Sequence, residues 1–419
     1  MFHRFCTKVG SNFRGGFVSK ELLYCALVGS VASILSSRRE EVAAENGVST
    51  KDLKSKESEE VHKLLSRLQT HFLFSLDELV APGSTESKWK LLRWDRDGGQ
   101  HGGGIRFEKS GTELFSRATV NVSNVHFEDV EKYPIDSATA LSVILHPKNP
   151  YVPSLHFHIS FVETRSKKST PYWRMIADLN PAIESRQTDN AERFKRAVGS
   201  AIMDSVPKGG KTIDGEYLFR CATEFGNKYF YVPVLNRFRG VSHFFAPYVS
   251  PSIGVSSAAS KEMAERLSLN IISTYVEIAR QEISLHRDGS LTAEDYGRQL
   301  FYHTLYFFQV ITLDRGTTHG LLAHDQNDIG TLASLPNRVD CSVLRSWQGA
   351  LKYPQSELLG KVVELLEKSE GDISDNTRGS LANIIRHHYR THGIAATKEQ
   401  AAFNVQAWKD QFESQSTAE

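Results

Sequence analysis

The feature that most constrains the fold is a series of strand patterns between about residues 105 and 165. Four segments there, IRFEKSG, ATVNVSNVHFE, ATALSVILH and SLHFHISFVE, are rich in β-branched and aromatic residues. In the last segment, apolar residues alternate strictly with His156, His158 and Ser160. Successive side chains of a strand point to opposite faces, so this alternation predicts one buried face and one face that carries the histidines.

Helical patterns lie on both sides of this region. The apolar residues between 61 and 73 recur at the spacing of one helix face, and residues 190–203 and 260–286 show the same periodicity. After about residue 340 the sequence predicts further helices, at 355–368, 378–390 and 397–413. No internal repeat is present in the sequence.

The segment LYFFQVITLDRGTTHGLL, residues 305–322, is apolar and aromatic, and we interpret it as a strand that runs into a turn. Together with the preceding patterns it predicts an α+β fold. This fold has a large, mostly antiparallel sheet flanked by helices and is followed by a helical C-terminal extension.

The N-terminus has the composition of a targeting segment. MFHRFCTKVGSNFRGGFVSK carries four basic residues and no acid before Glu21, which is typical of a mitochondrial presequence, although a plastid leader stays open. The apolar run at 22–35 is shorter than the ~20 residues that a membrane span normally needs. It is a marginal membrane anchor or a part of the leader, and the expected location is the mitochondrial matrix or inner membrane.

Four regions follow from these patterns. Residues 1–39 form the targeting region with its short apolar run, and residues 40–58 form a charged linker. Residues 59–345 form the main domain. Residues 346–419 form the helical extension, which is small for an independent domain.

Charge and cysteine content give no support to some classes of function. The formal net charge is +1, and no basic tail with interleaved aromatic residues indicates nucleic-acid binding. The four cysteines are far apart and form no CxxC pair, so neither a disulfide framework nor a zinc module is expected. A reducing compartment fits this pattern.

Several stretches occur in the order of one known family. GGGIRFEKSGTELFSRATVNVSNV, SVILHPKNPYVPSLH, YWRMIADLNP, RFRGVSHFFAP and QLFYHTLYFFQVITLDRGTTHGL, followed by SLP at 334–336, together cover about residues 60 to 345. On these motifs the chain resembles oxygen-dependent coproporphyrinogen III oxidase. The ordered set is specific because no single short motif has to support the inference.

The resemblance implies a seven-stranded antiparallel sheet flanked by helices, usually in a homodimer. It also implies a reaction in which O2 oxidises two propionate side chains of a porphyrinogen to vinyl groups, with release of CO2. The family requires no redox cofactor, and none is expected here.

The resemblance also assigns roles to individual residues. His156 matches the proposed proton donor, and Ser142 and His146 match a substrate-contacting serine and the histidine four positions after it. Arg239-Gly240 matches the RG of the family, and Asp314-Arg315-Gly316-Thr317 matches its DRGT. An active chain would therefore use His156 as the catalytic residue, and would bind substrate through Ser142, His146, His158, Arg239 and Arg315.

Other positions depart from the family pattern. His158 and Ser160 stand where the family has Asn and Arg, and Ala246-Pro247 stands where it has two acids. Arg174-Met175-Ile176 replaces a glycine run and is expected to crowd a bound ring. Tyr302-His303-Thr304-Leu305 replaces RRGR and removes guanidinium groups that would clamp carboxylates.

The three histidines of residues 145–160 have other interpretations. An H-x-H pair on one strand with His146 from its neighbour could bind a metal ion, since catalytic zinc commonly takes three protein ligands. No nearby carboxylate is an obvious partner for such ligands, so the sequence favours histidines that face a wet or filled cavity, and no metal is predicted.

Two hypotheses of different classes remain. The first is a divergent, active porphyrinogen oxidase. The second is a catalytically inactive relative that acts as an interaction subunit of a larger mitochondrial assembly, either as a homodimer or with other partners. The altered motifs and the helical extension favour the second hypothesis.

Overall fold

The computed structural model describes residues 55–80, 88–129, 134–166, 169–183, 188–206, 213–313, 332–393 and 405–416. Its centre is a seven-stranded antiparallel sheet in which neighbouring strands follow the chain order, with the last strand added at one edge. The strands are β1 Lys90–Asp95, β2 Gly102–Ser110, β3 Phe115–His126, β4 Ile135–Pro147, β5 Ser154–Thr164, β6 Tyr172–Asn180 and β9 Ser242–Val249. The pair β7 Tyr231–Val232 and β8 Arg237–Phe238 forms a separate small ribbon. The α+β class and the seven strands are confirmed.

Helices surround this sheet. They are α1 Lys56–Asp77, α2 Thr188–Ser205, α3 Gly215–Phe230, α4 Ser257–Leu285, α5 Ala293–Thr312, α6 Cys341–Gln348, α7 Gln355–Glu367, α8 Asp375–His392 and α9 Val405–Ser416. Ser55 caps α1 in a capping box with Ser58, so this helix begins inside the segment that the sequence predicts as linker.

One face of the sheet forms the main hydrophobic core. The apolar residues of β5 alternate onto this face and are buried, and Phe157 stacks on Phe72 of α1 with ring centroids 5.7 Å apart. Helices α1, α2 and α4 contribute to the same core. The period-two pattern of β5 therefore predicts the buried face correctly, because alternate side chains of a strand share one face and this face meets the helices.

Helix α5 corrects one expectation, since residues 305–312 are helical and form no strand. Thr292 and Asp295 form a capping box at the start of the helix. Every residue from Tyr302 to Thr312 is buried, so this part of the helix has no polar face. Its polar residues His303, Thr304 and Gln309 are buried with the apolar ones, and its β-branched and aromatic residues resemble a strand in sequence. The rest of segment 305–322, from residue 314, lies outside the described residues.

The C-terminal helices pack onto the rest of the molecule. Helices α6, α7 and α8 form a second hydrophobic cluster with α5. Helix α9 lies against the edge strand β9, where the indole of Trp408 is buried and donates a hydrogen bond of 2.6 Å to the Tyr248 carbonyl. Trp408 also packs edge-on against Phe225 of α3, at 5.0 Å between ring centroids. The helix thereby covers a sheet edge that would otherwise be exposed.

No helix among the described residues is long and apolar enough to cross a membrane. The apolar run at 22–35 and the leader composition fall outside those residues, so their roles stay predictions.

The docking of α9 can be tested with Trp408→Ala. We expect the free energy of unfolding to fall by about 3–5 kcal/mol, because the substitution removes a large buried aromatic side chain and leaves a cavity. Denaturant unfolding of the full chain measures this. The exposed Asp410→Ala on the same helix serves as the control and should change stability by less than about 0.5 kcal/mol. Equal effects of the two substitutions would contradict the packing.

Candidate functional site

The second face of the sheet carries polar side chains in cross-strand rows. Residues directly opposite each other on paired strands share a face, so the register defines the rows. We name each row by its residue on β5. The His156 row runs Glu108, Thr119, Ile144, His156, Asp178, His243; the His158 row runs Arg106, Asn121, Ser142, His158, Ile176, Phe245; and the Ser160 row runs Trp94, Gly104, Ser123, Ala140, Ser160, Arg174.

Asp178 is the centre of a buried ionic cluster in the His156 row. Its Oδ2 accepts a hydrogen bond of 2.9 Å from Nδ1 of His156 and one of 3.0 Å from Nη2 of Arg239. Asn180 donates a third bond to the same oxygen. All four side chains are buried. The structure therefore supplies the carboxylate partner that the sequence did not reveal for His156, from the neighbouring strand.

Electrostatics keep this cluster charged. Burial alone would raise the pKa of Asp178, but the Arg239 charge and the His156 contact outweigh it and lower that pKa to about 2. Burial lowers the pKa of His156 despite the opposing effect of Asp178, and Asp178 raises the pKa of Arg239 against its burial. The resulting state is a carboxylate paired with a guanidinium and a neutral imidazole.

Gly240 allows Arg239 to reach Asp178. It has a φ of +81°, and a Cβ atom at this position would lie 2.5 Å from Oδ1 of Asn180 and 2.8 Å from the Leu179 carbonyl. Only glycine therefore fits between the β8–β9 connection and the end of β6. The Arg-Gly pair that the sequence singles out is explained by this close approach.

Two tyrosines of α5 cover His156. The hydroxyl of Tyr302 lies 3.5 Å from Nε2 of His156, at the outer limit of a hydrogen bond, and the ring of Tyr306 stacks on the imidazole with centroids 4.5 Å apart. Both tyrosines are buried, and His156 itself is 7% exposed. Neither nitrogen of His156 faces solvent directly.

His146 lies beside this cluster and has both nitrogens engaged. Its Nε2 donates to the Ser334 carbonyl at 3.1 Å, and its Nδ1 accepts from the Ser154 hydroxyl at 3.2 Å. Burial, with the nearby His303 and His156, holds its pKa well below the usual range. With these bonds made, His146 connects the sheet to the segment before α6 and has no nitrogen left for a metal ion or a substrate.

Ser142 and His158 form a pair in the next row. The Ser142 hydroxyl lies 2.7 Å from Nδ1 of His158, and both side chains are only partly buried. Burial and the charge of Arg174 lower the pKa of His158 to about 4, so this imidazole is neutral at physiological pH. Its Nε2 stays without a partner among the described residues.

The expected crowding by Arg174-Met175-Ile176 is wrong for one of the three residues. Met175 points to the core face and is fully buried, whereas Arg174 and Ile176 lie on the polar face and are half-buried. Arg174 stands directly opposite Ser160, the position at which the sequence comparison shows the loss of an arginine. The guanidinium is therefore still present on this face, but on the neighbouring strand.

Another group of possible metal ligands lies at the turn between β1 and β2. Ligand atoms of Asp97, His101 and Asp129 lie within 4.8 Å of one another. The guanidinium of Arg96 already pairs with Asp129 at 2.5 Å and lies 3.9 Å from Asp97. The Arg96 guanidinium thus offsets one of the two carboxylate charges of this group, which lies outside the polar rows.

Comparison with known proteins identifies the family of this chain. The sequence profile of the family described as coproporphyrinogen III oxidase matches residues 60–357. The chain belongs to the coproporphyrinogen III oxidase family.

Individual relatives are moderately similar. An oxygen-dependent coproporphyrinogen-III oxidase of Rickettsia akari is 29% identical over 265 residues, which cover 60% of this chain and 85% of that protein. The mitochondrial enzyme of Rattus norvegicus is 27% identical over 299 residues, which cover 65% of this chain and 60% of the rat protein. An enzyme of Prochlorococcus marinus is 24% identical over 363 residues, 78% of this chain and 95% of its own length.

The structure brings together only some of the residues to which the family resemblance assigns a role. His146, His156 and Arg239 meet in the buried cluster, while Ser142 and His158 lie in the half-exposed row beside it. Arg315 lies outside the described residues, so its role stays a prediction. The roles of the two tyrosines and of Arg174 cannot be predicted from the sequence, because they depend on the position of α5 and on strand register.

The buried histidines predict a pH-dependent stability that can be measured at His303. Burial and the nearby His156 lower the pKa of His303 to about 4, against ~6.5 in an unfolded chain. Below pH 6.5 the unfolded chain takes up a proton that the folded chain refuses until about pH 4, so stability falls over this window. We expect His303→Phe to remove about 2 kcal/mol of the loss between pH 7 and pH 5.

Denaturant unfolding at pH 7, 6 and 5 measures this difference. Phenylalanine suits the position because Nε2 of His303 is buried without a partner. The exposed His387→Phe is the control and should leave the pH dependence unchanged. Parallel pH curves for the His303 variant and the unaltered chain would show that His303 titrates normally.

Proposed function

We propose that this chain is a coproporphyrinogen oxidase relative that has lost oxidase turnover and serves as an interaction subunit of a larger mitochondrial assembly. The observation that carries the first part is the closure of His156 by Tyr302. A proton donor must come within about 2.6–3.2 Å of the atom that it protonates. Nδ1 of His156 is bound to Asp178, and Nε2 lies beneath the tyrosine hydroxyl.

To expose Nε2 of His156, Tyr302 would have to move, and this movement would disturb a packed cluster of side chains. Tyr302 is 6% exposed, and its ring centroid lies 6.4 Å from that of His146 and 5.7 Å from that of His303. Moving its side chain would expose buried aromatic surface and uncover His156. Closely packed protein interiors resist such movement, since they tolerate little loss of contact between side chains.

The assembly role has separate support. The basic, acid-poor N-terminus is typical of a mitochondrial presequence, and the rat relative is named as a mitochondrial enzyme. Helices α6 to α8 add a second apolar cluster on the outer side of α5. This layer enlarges the surface of the molecule on which partner subunits can dock.

An active oxidase is the second candidate. The Ser142–His158 pair and Arg174 favour it, because they keep hydrogen-bond donors on a half-exposed part of the same face. In that case Asp178 orients His156, and turnover needs Tyr302 to leave its position over Nε2. The relatives with the printed activity support this candidate as well.

A turnover assay tests the proposal. The purified full chain is incubated with coproporphyrinogen III and O2, and the tri- and dicarboxylic products are quantified by chromatography and mass spectrometry. We expect no product above the protein-free control. The rat enzyme is the positive control, and His156→Asn shows whether any trace signal depends on the histidine. Turnover near the ~1–10³ s⁻¹ of ordinary enzymes, abolished in His156→Asn, would establish the active candidate.

The assembly role needs a second experiment. The tagged chain, expressed in its own cells at its normal level, is extracted gently from mitochondria and separated by native electrophoresis and crosslinking mass spectrometry. We expect the chain in a complex larger than its homodimer, with crosslinks from α6 to α8 to other proteins. Migration entirely as a homodimer would contradict the assembly role without affecting the turnover result.

A further inference from the structure

Two histidines lie one turn apart at the end of helix α8. His388 and His392 are separated by four residues, so their side chains lie on the same face of the helix. The centroids of the two imidazole rings are 4.8 Å apart. A metal–nitrogen bond of ~2.0–2.1 Å places an ion about 3.2 Å from each ring centroid, so this separation corresponds to an angle of roughly 97° at a shared ion. That angle lies between those of square-planar and tetrahedral coordination.

Hydrogen bonds to the end of α5 determine which nitrogen of His388 carries the proton. Tyr389 donates from its hydroxyl to the Ile311 carbonyl at 3.0 Å. The amide nitrogen of Gln355 donates to the Tyr389 hydroxyl at 2.9 Å and also to the Thr312 carbonyl. The amide oxygen of Gln355 is therefore an acceptor, and it lies 2.8 Å from Nε2 of His388. Because an acceptor needs a donor opposite it, Nε2 is the protonated nitrogen.

Nδ1 of His388 consequently keeps its lone pair. It forms no hydrogen bond with any residue that the structure describes, and the same holds for both nitrogens of His392, which is half-buried. Burial and the nearby His392 lower the pKa of His388 to about 4, so this ring is neutral at physiological pH. In metal sites, a ligating histidine commonly donates its other N–H to an oxygen that fixes the ring. The buried amide of Gln355 supplies such an oxygen.

Glu357 of α7 supplies a carboxylate near the two histidines. Its pKa is lowered first by the hydrogen bond from Lys361 and further by the charges of His392 and His388. Nζ of Lys361 donates to Oε1 of Glu357 at 2.5 Å, while Oε2 has no partner among the described residues. The Glu357 side chain is 41% exposed and can turn from Lys361 toward an ion at the histidine pair. Two histidines and one glutamate are an established ligand set for zinc, with water in the remaining position.

We propose that His388, His392 and Glu357 form a binding site for Zn²⁺ that fastens α7 to α8. Imidazole nitrogens suit zinc and its neighbours in the transition series, whereas Mg²⁺ and Ca²⁺ need sets of oxygen ligands. An ion held by residues of both helices stabilises their packing in the folded chain. All three ligands belong to the helical extension and none belongs to the polar rows of the sheet, so the inference is independent of the proposed function.

Zinc titration of the metal-free full chain tests the inference. Binding of Zn²⁺ is measured by calorimetry and by competition with a chromophoric chelator, and the thermal unfolding midpoint is followed with and without Zn²⁺. We expect His392→Ala to raise Kd at least about 10-fold, because loss of a ligand costs no less than loss of an outer partner. Zn²⁺ should raise the unfolding midpoint of the unaltered chain more than that of His392→Ala, and Mg²⁺ should change neither. The exposed His387→Ala is the control and should bind Zn²⁺ as the unaltered chain does.

Two further variants locate the ion. Lys361→Gln should lower Kd about 3-fold, because Glu357 no longer pairs with an ammonium group. His101→Ala removes the histidine of the group at the β1–β2 turn and should leave the affinity for Zn²⁺ unchanged. Circular dichroism establishes that each variant is folded.

Three results would overturn the inference. They are the absence of saturable zinc binding to the unaltered chain, equal affinity of the unaltered chain and His392→Ala, and loss of zinc binding in His101→Ala. The last result would place the ion at the β1–β2 turn. The turnover assay does not depend on any of these outcomes.

Discussion

The buried carboxylate of Asp178 determines how the polar face of the sheet is organised. Removing a charge from water costs several kcal/mol, so an ionised carboxylate at this depth needs compensating partners. Arg239 supplies the opposite charge, and His156 supplies a hydrogen bond. This bond fixes the proton of His156 on Nδ1 and leaves Nε2 as an acceptor. The tyrosines of α5 then pack over that imidazole, and α5 in turn supports the helices that follow it.

A sequence pattern predicts an element of this fold only where the pattern reflects the geometry of that element. The sheet and its faces could be predicted, because the alternation around His156 and His158 directly reflects the period of a strand. The second half of helix α5 could not, since residues 302–312 are buried on every side and their β-branched and aromatic residues favour a strand. Its mistaken assignment also hid Tyr302 and Tyr306 as the residues that cover His156.

The candidate site shows the same limit. Sequence comparison counts residues position by position, so a change to Ser160 indicates a lost guanidinium and a change to Arg174 indicates steric crowding. The register of β5 and β6 places these two residues directly opposite each other. Together they indicate a guanidinium on the neighbouring strand, and only cross-strand pairing reveals it. Met175 does not crowd the polar face for a related reason: it lies between two polar-face residues of the same strand, so its side chain points into the core.

The polar face is thus divided between two kinds of environment. The His156 row is sealed by α5, and its charges are balanced internally by Asp178 and Arg239. The Ser160 row lies four residues along β5, roughly 13 Å away, and keeps an unbalanced guanidinium at its edge. The two rows therefore differ in charge balance: the charges of the His156 row are paired within the fold, whereas Arg174 has no hydrogen bond or ion pair with any described residue.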